Sequence, residues 1–116
     1  MGYKKARIPI RLKGDVVKYV DGYTFEACFS NGRLWLMAVY KNSETHGLWT
    51  VTDWHTGYAV CYGKTRVDAV TKFQNTYLSK IERLVFSNEH YSKFGSENWY
   101  EAKSREFAES IEKVDA

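Results

Sequence analysis

The sequence predicts an α+β fold: an antiparallel sheet of four to five strands, then a long amphipathic helix and a C-terminal helical segment. Three observations carry this. Up to Tyr62 the chain reads as short strands, alternating or apolar on both faces, separated by Asp-Gly, Asn-Gly and Thr-Gly pairs. From Thr65 the apolar spacing changes to three and four. The 116 residues contain a single proline and no Gly/Ser-rich linker, so one domain, 1–116, is expected. A strand-rich half followed by a helix-rich half is the pattern of helices packed on one side or end of an antiparallel sheet.

The elements follow in order. Residues 1–14 form a basic N-terminal arm or an edge strand. Arg7 to Lys13 places Ile8, Ile10 and Leu12 on one face, and Pro9 cannot donate to a central ladder. The sheet proper is expected over 15–63. Val16 to Val20 is a short strand ended by Asp21-Gly22. Tyr23 to Ser30 puts Phe25, Ala27 and Phe29 on one side. Asn31-Gly32 then reads as a type I′ hairpin turn, because both residues tolerate positive φ. Arg33 to Lys41 is apolar on both faces, as a covered central strand would be. After the polar stretch Asn42 to Gly47, Leu48 to Thr52 and Tyr58 to Tyr62 form a second hairpin. In its turn Asp53 supplies an Asx-turn and Gly57 the left-handed position.

The helical part is 64–116. Thr65 caps a helix with Asp68 at its third position, and Val67, Val70, Phe73, Tyr77, Ile81 and Leu84 form its apolar face to about Val85. A turn or short helix from Ser87 to Gly95 precedes a last helix, roughly 97–113, with Trp99, Tyr100, Phe107, Ala108, Ile111 and Val114 inward.

Charge is segregated along the chain. The net charge is +3, yet residues 1–14 hold five Lys/Arg and no acid, while residues 97–116 hold six acids against three bases. Aromatics make up 16% of the chain, more than a small core needs, so some rings are expected at the surface. Cys28 and Cys61 lie in apolar stretches without metal-site spacing and read as two buried thiols in a reducing compartment. A disulfide between them would need neighbouring strands. No apolar run spans a membrane, and the basic start leads into alternation rather than a signal-peptide core. A cytoplasmic protein is therefore expected.

Catalytic patterns are missing from the sequence: no GxSxG, HExxH, P-loop or GxGxxG occurs. His46, His55 and His90 have no metal-pair spacing, so no metal or cofactor is expected. Asp53 and His55 share one turn, the nearest approach to an acid–base pair. The sharper feature is Trp54 at a hairpin tip, where its own sheet cannot easily bury it. With His55 and Tyr58 beside it, it is a candidate partner anchor. The acidic residues Glu101, Glu106, Glu109 and Glu112 are a second candidate contact face. Lys4, Lys5, Arg7, Arg11, Lys64 and Arg66 are the alternative, a set of phosphate contacts.

The stretch Trp49 to Phe73 runs from a Trp-x-Val strand through a Thr-Gly turn and a second strand to Gly-Lys-Thr-Arg-x-x-Ala at a helix start. It resembles small proteins of phages and mobile elements of Gram-positive bacteria, some of which are anti-CRISPR proteins. It is also similar to the strand–strand–helix of AP2-like integrase arm-binding domains, double-stranded-RNA-binding domains and HicB-type antitoxins. Asp68 and Val70 stand where the RNA-binding pattern would add bases, and that fold's leading helix is missing. The first resemblance implies a non-enzymatic inhibitor of a type II RNA-guided nuclease, with the guide-loaded nuclease as partner. The second implies a nucleic-acid-binding module of a mobile element.

Overall fold

In the computed structural model of the chain, residues 2–14, 16–42 and 47–87 are described. Five strands run β1 (Lys4–Leu12), β2 (Val16–Cys28), β3 (Leu34–Asn42), β4 (Leu48–Asp53) and β5 (Ala59–Gly63). They form one antiparallel sheet in sequence order, β1-β2-β3-β4-β5. A 22-residue helix follows, composed of α1 (Arg66–Lys72), a π-helical turn Phe73–Tyr77 and α2 (Leu78–Ser87). The predicted α+β class and element order hold. The expected last helix, with Glu101, Glu106, Glu109 and Glu112, lies outside the described residues.

The N-terminal segment is an edge strand, paired with β2 from Lys4↔Thr24 to Leu12↔Val16. Its partner differs from the expectation of two short strands, because Asp21-Gly22 does not end one. β2 runs unbroken for thirteen residues through that pair. Gly22 instead marks where β2 leaves β3, whose pairing begins at Tyr23↔Val39. A Cβ on Gly22 would lie 2.5 Å from Ile8 Cδ1, 2.6 Å from Val39 O and 2.8 Å from Tyr40 Cβ. Only a residue without a side chain lets the β1–β2 ribbon curl this closely over the sheet.

That curl gives the sheet two cores. Alternation sends Phe25, Ala27, Trp35, Met37, Val39, Val51 and Cys61 to the helix side, against Ala69, Val70, Phe73, Ile81 and Val85. On the opposite face the ribbon brings Ile8 and Ile10 onto Ala38 and Tyr40, with Val20 and Trp54 at the margin. The Arg11 N–H donates to Gly57 O at 2.9 Å, which ties β1 to the β4–β5 turn and brings the sheet towards closure. β3 is therefore central and covered on both faces, as its sequence predicts. Leu12, expected beside Ile8 and Ile10, lies past the covered region and is exposed.

Two further expectations are corrected. The β2–β3 connection is a three-residue turn, not a two-residue type I′ turn. Gly32 N–H donates to Phe29 O at 2.9 Å, so Ser30-Asn31 are its central residues and Gly32 (φ 87°) follows in the left-handed position. Asn31 still contributes, because its Oδ1 accepts from Arg33 N–H at 3.0 Å. In the helix, Thr65 Oγ1 accepts from Asp68 N–H at 3.1 Å, the predicted cap. The predicted apolar face holds at Val70, Phe73, Tyr77 and Ile81 and differs at its two ends. Val67 and Leu84 are exposed, while Ala69 and Val85 are buried. The π-turn at 73–77 inserts an extra residue, so the inward series becomes Phe73, Tyr77, Ile81 and Val85.

The thiols also differ from expectation. β2 and β5 are not neighbours, and both cysteines are free, with Cys28 exposed rather than buried. Cys61 is buried and its thiol donates to Ala69 O at 3.5 Å. Burial pushes its pKa up to about 11, against a smaller lowering by Lys72. A raised folded-state value adds stability below the unfolded pKa and forfeits it as pH rises through the folded one. Unfolding free energy should therefore fall by about 2 kcal/mol between about pH 9 and 11. Denaturant titrations across that range check this, and Cys61→Ala should remove that part of the fall.

The buried hydroxyls of Thr50 and Thr52 have no hydrogen-bond partner. Both face the smaller core by alternation, and both are essentially inaccessible. Thr52→Val keeps the branched shape and removes a desolvated hydroxyl, so it should stabilise the fold by about 1–2 kcal/mol. A higher urea midpoint with unchanged m-value is the expected reading.

Candidate nucleic-acid interface

The Trp54 hairpin tip is largely a buried structure. Asp53 closes it: its backbone N–H donates to Tyr58 O at 3.0 Å, and its carbonyl accepts from Gly57 N–H at 2.8 Å. The Asp53 carboxylate is 2% exposed. Its Oδ1 accepts from Trp35 Nε1 at 3.1 Å and from His55 N–H at 3.1 Å, and it pairs with His55 Nδ1 at 3.2 Å. Its Oδ2 accepts from the Thr56 hydroxyl at 3.2 Å. The His55 ring stacks on Trp35 with centroids 3.7 Å apart.

His55 is 0% exposed and so, contrary to the expectation from sequence, presents no surface to a partner. The same burial keeps Asp53 and His55 from meeting a substrate. Trp54 is half-buried against the ribbon core rather than free at a tip. Tyr58 alone of the three is exposed, at 49%. Among the described residues no cluster of His, Cys, Asp or Glu could hold a metal ion.

The six predicted phosphate contacts fare differently. Lys4, Lys5, Arg7 and Lys64 are exposed, while Arg11 and Arg66 are half-buried. Odd positions of β1 share one face: Tyr3 packs at the margin of the main core, and Lys5, Arg7, Arg11 and Lys13 follow along the outer face of the ribbon, with Pro9 buried between Arg7 and Arg11. Alternate residues of a strand stand about 7 Å apart, which spreads Lys5 to Arg11 over roughly 20 Å. The helix packs against β3, β4 and β5 and leaves Lys5, Arg7 and Tyr19 in solvent.

Aromatic rings hold three of these guanidinium groups. Arg66 lies 4.4 Å from the Tyr3 centroid and 4.8 Å from that of Tyr23. Arg7 lies 5.9 Å from Tyr19, and Arg11 lies 4.7 Å from Tyr58. Cation–π contact limits the rotamers of a guanidinium and so fixes where its charge stands. Through the Arg66–Tyr3 contact, the helix start meets the beginning of β1. Lys64 has no comparable contact with the strip.

Sequence reading missed Tyr3, Tyr19 and Tyr23 as members of this surface. Their signal was present for Tyr3, since odd positions 3 to 13 read Tyr, Lys, Arg, Pro, Arg, Lys. Tyr19 and Tyr23 could be placed only once β2 was known to run through Asp21-Gly22. No helix among the described residues is long and apolar enough to cross a membrane. Comparison with known protein families, with curated proteins and with solved structures finds no match to this chain.

Proposed function

We propose that the chain is a nucleic-acid-binding protein, without a catalytic step of its own, that holds phosphate along the outer face of the β1–β2 ribbon. The observation that carries this reading is the row Lys5, Arg7 and Arg11 on one face of one strand, with both arginines set by tyrosine rings. Charge supports it as well: residues 1–87 hold thirteen Lys/Arg against seven Asp/Glu. A cytoplasmic setting fits the two free thiols.

Binding of a 30-nucleotide probe should weaken steeply with salt. Phosphate contacts by Lys5, Arg7, Arg11 and Lys13 correspond to a slope of log affinity on log salt of roughly −3. Fluorescence anisotropy between 50 and 200 mM salt measures it, and combined Lys5→Gln and Arg7→Gln changes should make the slope shallower. No binding at the lowest salt rejects the reading.

The charge split favours a second reading, since residues 88–116 hold seven acids against four bases. In it the chain inhibits a type II RNA-guided nuclease, with acidic residues taking the place of phosphate. Of its described contacts only Tyr58 is well exposed, so it ranks behind. Failure to co-purify with the guide-loaded nuclease would remove it.

A further inference from the structure

Resting on the nucleic-acid reading, we infer that the ligand of the ribbon's outer face is a single strand, with its backbone along β1 and its bases on the flanking tyrosines. The register of the ribbon argues for this. Across from the β1 residues stand Arg7↔Asp21, Pro9↔Tyr19 and Arg11↔Val17. On this face cations therefore occupy β1 only, since Lys18 of β2 stands opposite Ile10 on the other face. Its partner strand offers a ring, an apolar residue and an acid on the same face.

A duplex presents two phosphate rows across a groove, and a ribbon reading it would need cations on both strands. Here the second row would meet Asp21. A single strand needs one row of cations with aromatic platforms beside it, because every base has a face that stacks. Tyr19 lies on one side of the row and Tyr58, from the β4–β5 turn, on the other. They are 43% and 49% exposed. The β4–β5 turn is held beside β1 by the Arg11 N–H to Gly57 O bond, so the Tyr58 platform is fixed relative to the cations. The 7 Å step of alternate strand residues, Lys5 to Arg7 and Arg11 to Lys13, also suits neighbouring phosphates of an extended chain, with Pro9 between the two pairs.

The test is competition by fluorescence anisotropy at 50 mM salt among 15-mers of deoxythymidine, of uridine, and a 15-base-pair duplex of mixed sequence. At least one single strand should bind about tenfold or more tightly than the duplex, and comparison of the two sugars separates DNA from RNA. The double variant Tyr19→Leu, Tyr58→Leu should lose about tenfold in single-strand affinity and little in duplex affinity. Both rings are surface groups, and circular dichroism confirms that the variant folds. Equal or tighter duplex binding overturns the inference while leaving nucleic-acid binding intact. A single-strand preference that survives loss of both rings also overturns it. No binding by any probe removes both this inference and the function beneath it.

Discussion

Asp53→Ala is expected to lower the unfolding free energy by about 3–5 kcal/mol. The carboxylate is buried and accepts from the Trp35 indole, the His55 backbone and the Thr56 hydroxyl, besides pairing with the His55 ring. Alanine would leave those donors in a site that water does not reach, and each orphaned donor carries its own desolvation cost. The loss would extend beyond the turn. Trp35 is on β3 and is stacked between His55 and Phe29, so the network fastens the β4–β5 hairpin to the main core. Asp53→Asn keeps one acceptor oxygen but sets an amide N–H among donors, so it should lose less. Urea unfolding followed by far-UV circular dichroism measures both variants. A change under about 1 kcal/mol for the alanine variant would show that the donors find other partners.

Gly63→Ala should be at least as damaging, by about 3 kcal/mol or more, and its cause is steric. A Cβ at this position would overlap Ala69 N and stand 2.7 Å from Ala69 Cα and 3.0 Å from Asp68 C. These are backbone atoms of the first helical turn, and that turn is held by the Thr65 cap. Relief would require the helix to move off β5, which would open the contacts of Ala69, Val70 and Phe73 with the sheet. Ala69→Gly in the same chain should give no rescue, since the overlap involves backbone rather than the Ala69 methyl. The double variant in the same urea titration decides this. Recovery of stability there would place the strain in the side chain instead.

These two residues mark how far local sequence reaches. Gly63 could be read as a strand end and Asp53 as the start of an Asx-turn, and both readings describe the structure. What local sequence did not contain is the approach of Ala69 to Gly63, or of Trp35 to Asp53. Asp21-Gly22 shows the same limit from the other side. It carries the signal of a turn, yet β2 passes straight through it. The glycine is needed because Ile8 and Tyr40 crowd that point, one from fourteen residues earlier and one from eighteen later. His55 looked like an exposed polar residue of a tip and is wholly covered, because an indole from the neighbouring strand stacks on it. The helix shows a subtler case: its start and length were readable, but the π-turn that rotates Val85 inward and Leu84 outward leaves no mark on a three-and-four spacing.

The sequence by itself determined the order of strands and helix, the Thr65 cap, the edge character of β1 and the row of cations at its odd positions. Those properties depend on residues two to four apart, a range over which periodicity, capping and turn chemistry act. Tertiary structure alone decided the curl at Gly22, the burial of His55 and the placing of Tyr19 and Tyr58 on either side of the cationic row. Each of these depends on which distant surfaces exclude water together, and burial is a property of the packed chain rather than of any segment.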